Sequence, residues 1–172
     1  VDRIQSAGHL CSHFHLSLQS GCDQTLRRMR RKYNTRQAAE NIAYLKQKMP
    51  DLCLSADVIV GFPGETEAEF EQTCAFIEEL ELLHGHIFCF SKRPGTEADR
   101  MPGQIPERIK KERNQHLSAI CAAAQKRQIE RRIGTQAEVL CEQAENGLCR
   151  GHTRNFIEVI WNDPACEKGR FK

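Results

Sequence analysis

Along His13-Phe14-His15-Leu16-Ser17-Leu18-Gln19 apolar and polar residues alternate strictly, so His13, His15, Ser17 and Gln19 share one face of an extended strand. Gln19 ends that face with two donors and an acceptor, a set suited to ribose hydroxyls or a carboxylate, with structural hydrogen bonding as the competing reading. Arg30, within the basic run Arg27, Arg28, Arg30, Arg31 and Lys32, offers a planar fork for a carboxylate; a solvated charged face is the alternative. Ile59 can stack on a flat ring such as adenine, and Gly61 can let that ring approach the backbone, unless both are ordinary positions of a buried strand. Near the end of the chain Arg150, His152 and Arg154 suit phosphate, while Phe156 and Trp161 offer surfaces for base stacking or a small core.

Metal chemistry is less well provided for. His13 with His15, and His84 with His86, alternate as ligand pairs would, but no carboxylate or cysteine stands at a matching spacing, so no metal site is expected from them. The nine cysteines cannot all pair internally, and the closest two, Cys141 and Cys149, are too far apart for a CxxC clip. They read as reduced, mostly buried thiols. A metal site built from sequence-distant cysteines is the alternative.

The elements that must carry these residues alternate as βα units. Strands are expected at 13–19, about 54–60 and 86–90, each followed by a glycine-bearing loop, as in a parallel sheet or barrel. In a barrel the apolar face of the first strand packs outward on helices and its polar face lines the lumen. Asp23 starts a helix, Thr35 caps a second with the stripe Ala38, Ile42, Leu45 and Met49, and Thr66 with Glu69 forms a capping box before Phe70, Cys74, Ile77 and Leu80. From Gln104 a charged helix with Ile109, Leu117, Ile120 and Ala124 runs to Gly134. Two β-like runs follow, 136–142 and 150–161, around the hairpin signal Asn146-Gly147.

With 172 residues, 40% hydrophobic and a net charge of +2, the chain can bury a core and shows no strong bias toward or against nucleic acid. No apolar run approaches the ~20 residues of a membrane span and no signal peptide is evident, so a cytoplasmic protein without membrane partner is expected. The chain begins at Val1, as a processed chain or a fragment does.

Four motifs in order, His15-Leu16-Ser17-Leu18-Gln19-Ser20-Gly21-Cys22-Asp23, Leu26-Arg27-Arg28-Met29-Arg30-Arg31-Lys32-Tyr33, Asp57 to Thr66 and Phe90-Ser91-Lys92-Arg93-Pro94-Gly95-Thr96, resemble the radical S-adenosylmethionine (SAM) tRNA methylthiotransferases. Ser17 and Arg31-Lys32-Tyr33 look most like the branch acting on threonylcarbamoyladenosine, and Gly151-His152-Thr153-Arg154-Asn155-Phe156 resembles the start of that family's TRAM domain. The resemblance implies an α/β fold: the second half of a partial (β/α)6 barrel over 1–103, a connecting helix over 104–133 and a partial all-β TRAM RNA-binding domain over 134–172. It implies SAM contacts at Gln19, Ser20, Arg30, Ile59, Gly61 and Phe90, and RNA contacts at Arg150, His152, Arg154 and Phe156. The reaction implied is transfer of a methylthio group to C2 of a modified adenosine beside a tRNA anticodon, the partner being the anticodon stem-loop rather than DNA.

The family's GxIxGxxE strand pattern is present only loosely, with Asp57 at its first glycine and Glu65 one place late, so Glu65 also reads as a helix N-terminal acid. The family's 4Fe-4S cluster sits on a CxxxCxxC motif that this sequence lacks, so its ligands are expected in a missing amino-terminal part and the chain alone is expected to be inactive and marginally stable. Three rivals stand beside this reading: a sister specificity for isopentenyladenosine or a ribosomal-protein aspartate, a non-catalytic RNA-binding module, and a phosphate-binding α/β protein using the Gly61–Thr66 loop.

Overall fold

A computed structural model describes residues 10–172, so the first nine residues of the expected 1–103 unit lie outside the described residues. Strand β1 (His13–Gln19) leads into a short helix α1 (Asp23–Arg28) and then α2 (Thr35–Lys48). Strand β2 (Cys53–Val60), helix α3 (Glu67–Leu80) and strand β3 (His84–Cys89) follow, then a four-residue turn of helix α4 (Glu97–Arg100) and the long α5 (Glu107–Glu130). The strands form a parallel sheet in the order β1-β2-β3, with His13 opposite Cys53 and Ser55 opposite His84.

The alternation in β1 decides which side is covered. Leu18 is buried and Phe14 and Leu16 pack on the core, together with Leu54, Ala56, Val58 and Val60 of β2, while α2, α3 and α5 supply Ile42, Phe70, Ile77, Leu117 and Cys121. The opposite face carries His13, His15, Asp57 and His86; there His15 lies 3.1 Å from Asp57 and its ring centroid 5.3 Å from that of His86. The expected partition of β1 into an apolar face packed on the core and an opposite polar face therefore holds.

Helix starts follow their caps. Thr66 accepts from the Glu69 amide at 3.2 Å and Glu69 accepts from the Thr66 amide at 2.9 Å, the expected capping box. At α2 the cap is Asn34, one residue before the expected Thr35, because its side chain and that of Gln37 satisfy each other's amides. In α5 the buried stripe differs from the expected apolar one: Lys110, Arg113 and Cys121 are buried with Leu117 and Ala124, while Ile109 and Ile120 are only partly buried.

A second sheet, antiparallel in the order β4-β5-β6, comprises β4 (Val139–Glu145), β5 (Leu148–Thr153) and β6 (Glu158–Asn162). Asn146 and Gly147 take φ of 52° and 79°, the left-handed pair that a two-residue hairpin turn needs. The expected run 150–161 divides into two strands, since Phe156 turns the chain at φ 69°. The carboxyl end returns to the free edge of β4, where Val139 and Lys172 exchange backbone hydrogen bonds of 2.8 and 2.9 Å. The hairpin thus gains a partner on each side, β6 against β5 and the returning carboxyl end against β4.

Candidate functional site

At the carboxyl ends of the parallel strands lies a cleft of about 230 Å3 lined by Gln19, Arg28, Arg30, Ile59, Phe62 and Glu97, among others. Gln19, Arg30 and Ile59, singled out separately in the sequence, meet there from β1, the basic segment and β2. Gln19 and Arg30 hold φ of 66° and 57°, conformations that side chains disfavour by about 1–2 kcal/mol and that persist only where the surroundings fix them. The Tyr33 hydroxyl supplies part of that restraint, lying 2.6 Å from the Leu18 carbonyl and 3.0 Å from that of Ser17. Tyr33 therefore clamps the end of β1 from which Gln19 projects.

Within the cleft the Gln19 amide has no hydrogen-bond partner among the described residues. Arg30 donates to Glu97 across the mouth, and with side chains 74% and 56% exposed this pair is easily exchanged for another carboxylate. Arg28 is fixed more firmly, donating to both Glu69 carboxylate oxygens at 2.9 and 2.5 Å. Phe90 stands behind the lining, edge-on to Phe62 with centroids 5.2 Å apart.

Two expected contacts have other work. Ser20 is fully buried, its hydroxyl 3.2 Å from that of Thr73 and accepting from the Cys22 amide at 3.2 Å, so it ties the turn after β1 to α3. Gly61 has φ 72°, and a Cβ added there would overlap the Lys110 stem; its missing side chain faces α5 and not the cleft. The Gly61 amide donates to Glu65 Oε2 at 2.6 Å.

Glu65 is more than a helix-start acid. It is buried, and its Oε2 also accepts from Arg113 at 2.8 Å, fastening the glycine loop to α5. Burial pushes its carboxyl above the usual range, against the pull of the Gly61 amide and Arg113. Lys110 donates to the Phe90 carbonyl at 2.9 Å and to Glu107 at 2.6 Å. Neither cation drew attention in the sequence, because charges on a charged helix read as solvated. The available signal was that both extend the Leu117, Cys121, Ala124 stripe backward at helical spacing.

The same loop weighs against the phosphate rival. The amides of Gly61 and Thr66 go to Glu65 and Glu69, and those of Gly64 and Glu65 go to the carbonyls of Gly103 and Phe62 at 2.8 and 3.0 Å. None of these four is left to hold an anion.

The residues read as RNA contacts lie at the other end of the parallel sheet. Phe156 stacks on His13 at 4.7 Å and on His152 at 4.6 Å between ring centroids, and meets His84 edge-on at 6.2 Å. Its ring, expected as a base-stacking surface, is thus occupied by imidazoles at the amino ends of β1 and β3. Arg150, His152 and Arg154 each face a carboxylate, of Glu158, Glu142 and Glu138 at 3.0, 3.0 and 2.6 Å.

Residues 1–77 match the model of the radical SAM superfamily. Over 99% of its length the chain is 36% identical to a tRNA-2-methylthio-N(6)-dimethylallyladenosine synthase of Symbiobacterium thermophilum, covering 37% of that protein. It is 41% identical over 87% of its length to the threonylcarbamoyladenosine tRNA methylthiotransferase MtaB of Thermotoga maritima, covering 35% of it. The chain belongs to the radical SAM tRNA methylthiotransferase family. A second MtaB, from Bacillus subtilis, is 36% identical over 94% of the chain and is covered to 37%. The chain thus spans a little over a third of the curated relatives it matches. No helix among the described residues is long and apolar enough to cross a membrane.

Proposed function

We propose that this chain forms part of a cytoplasmic enzyme that transfers a methylthio group to C2 of N6-threonylcarbamoyladenosine next to a tRNA anticodon. The observation that carries the reading is the convergence of Gln19, Arg30 and Ile59 on one cleft at the carboxyl ends of parallel strands, where enzymes of this architecture bind ligands. The parallel sheet is then the second half of a partial barrel over 1–103. Its polar face, with His15, Asp57 and His86, is lumen-facing, and α5 connects it to a TRAM-type RNA-binding sheet over 134–172.

SAM fits the cleft by donor chemistry: Ile59 and Phe62 offer apolar faces to an adenine, the unpartnered Gln19 amide serves hydroxyls, and Arg30 serves a carboxylate on release from Glu97. Bound there, SAM supplies a reactive carbon group and the chain's own residues bind and orient it. An iron-sulfur cluster is not fitted by the residues at hand, since no cysteine lines the cleft. Arg150 and Arg154, half exposed and paired to exposed carboxylates, are the phosphate contacts we favour on the terminal sheet.

Relatives of both names match at similar identity, so a substrate carrying dimethylallyl instead of threonylcarbamoyl is the second reading. Mass spectrometry of tRNA nucleosides from cells with the gene disrupted separates the two. Loss of 2-methylthio-N6-threonylcarbamoyladenosine supports the proposal, loss of the dimethylallyl nucleoside supports the second reading, and loss of neither overturns both.

A further inference from the structure

The terminal sheet contains a feature that the cleft and its chemistry do not use. The sulfurs of Cys141, Cys149 and Cys166 lie within 4.8 Å of one another, the one group of three or more potential metal-ligating side chains among the described residues whose donor atoms converge this closely. They come from three separate segments. Cys141 is on β4, Cys149 is on β5, and Cys166 is on the strap that leaves β6 and returns to β4.

That strap is held at both ends. The Cys166 amide donates to the Asp163 carbonyl at 3.1 Å, Lys172 pairs with the Asp163 carboxylate at 2.7 Å, and beyond it Gly169 donates to the Cys141 carbonyl at 2.7 Å. The third thiol is therefore delivered onto the first two by fixed backbone, not by a wandering loop.

A second observation concerns what holds this unit together. From Gly134 to Lys172 the only buried apolar side chains are Val139, Cys141 and Cys149, whereas Leu148, Ile160 and Phe171 are more than half exposed. Here the place of a hydrophobic centre is taken by three thiols facing one another, and all the cysteines are free.

We propose that Cys141, Cys149 and Cys166 form a structural binding site for one thiophilic metal ion, zinc being the fitting ion, with a water molecule as fourth ligand. A zinc-sulfur bond of about 2.3 Å in tetrahedral geometry places the sulfurs about 3.8 Å apart, so closure onto the ion needs only a small inward movement of the thiols. Sulfur-only donors favour such an ion over magnesium or calcium, which take oxygen. The sequence concealed this set because its members are spaced without any CxxC clip and the third follows a separate strand.

The test uses the whole chain, reduced and metal-free, titrated anaerobically with Co2+ and then with Zn2+. We expect a sulfur-to-cobalt charge-transfer band that saturates at one equivalent and is bleached by zinc. It is lost in Cys166→Ser and kept in Cys11→Ser, whose thiol is exposed and not a member of the cluster. X-ray absorption of the zinc-loaded wild type, which needs no variant to fold, should show three sulfurs and one oxygen. No band, a band that survives Cys166→Ser, or fewer than three sulfur neighbours overturns the proposal.

Discussion

Arg113 reaches from α5 into the glycine loop after β2 and donates to Glu65 Oε2 at 2.8 Å, with both side chains almost wholly buried. The same carboxylate oxygen accepts the Gly61 amide, so one ion pair sets the loop's shape and docks the long helix on it. Arg113 has a second partner in Glu67 at 2.8 Å, whereas Glu65 forms no second ion pair among the described residues. The two deletions should therefore differ. Arg113→Ala leaves a buried carboxylate uncompensated and should cost about 3–5 kcal/mol, while Glu65→Gln keeps an acceptor for Gly61 and should cost clearly less. Urea midpoints of the two variants check this; equal losses would show that the pair does not act as described.

Gly61→Ala should destabilise the fold by about 2 kcal/mol or more, because φ 72° disfavours a side chain and the new methyl meets the Lys110 stem. Gly151→Ala should disturb its sheet more severely, since the atom in the way is the Leu140 carbonyl on the paired strand, which cannot rotate aside as a lysine stem can. Hydrogen exchange of the β4 and β5 amides reads the second effect directly. A Gly151→Ala protein with wild-type protection on both strands would falsify the close approach.

Much of this architecture was legible because period-two and helical patterns record burial directly: β1 begins and ends where its alternation does, and Phe70, Cys74, Ile77 and Leu80 are buried as their stripe requires. What stayed hidden depends on contacts between distant segments. No local pattern shows that Ser20 meets Thr73, that Phe156 stacks between His13 and His152, or that Gly61 makes room for the Lys110 stem. Each assignment turned on a residue more than 40 positions away or on a fold-back that no local pattern encodes.

The stack at Phe156 should make stability depend on pH. His13 and His84 are both held below the usual histidine value of ~6.5, chiefly by burial; His13 also feels His84 and His15, and His84 feels His86 and His152, with a backbone hydrogen bond to Phe156 and the Glu158 charge opposing. Between those lowered values and ~6.5 the unfolded chain binds more protons, so stability is full above ~6.5 and falls as pH drops through that window. Urea midpoints at about pH 7.5 and about pH 5.5 should therefore separate in the wild type and draw together in a His13→Gln, His84→Gln double variant. An undiminished pH dependence in that variant would place the titrating groups elsewhere.

The Arg30–Glu97 pair at the cleft mouth provides the sharpest test of ligand binding, because the proposal requires Arg30 to exchange one carboxylate for another. In the free chain Glu97 holds the guanidinium, and any ligand carboxylate must displace it. An exposed pair of this kind is worth up to about 1 kcal/mol, so removing the competitor with Glu97→Gln should tighten SAM binding by up to about fivefold. Arg30→Ala, by contrast, should weaken it, and the double variant should bind like Arg30→Ala, since Glu97 acts on the ligand only through Arg30. Equilibrium dialysis of SAM against the chain measures all three affinities. If Glu97→Gln still raised affinity in the absence of Arg30, the gain would be general relief of negative charge, and Arg30 would lose its place as the carboxylate contact.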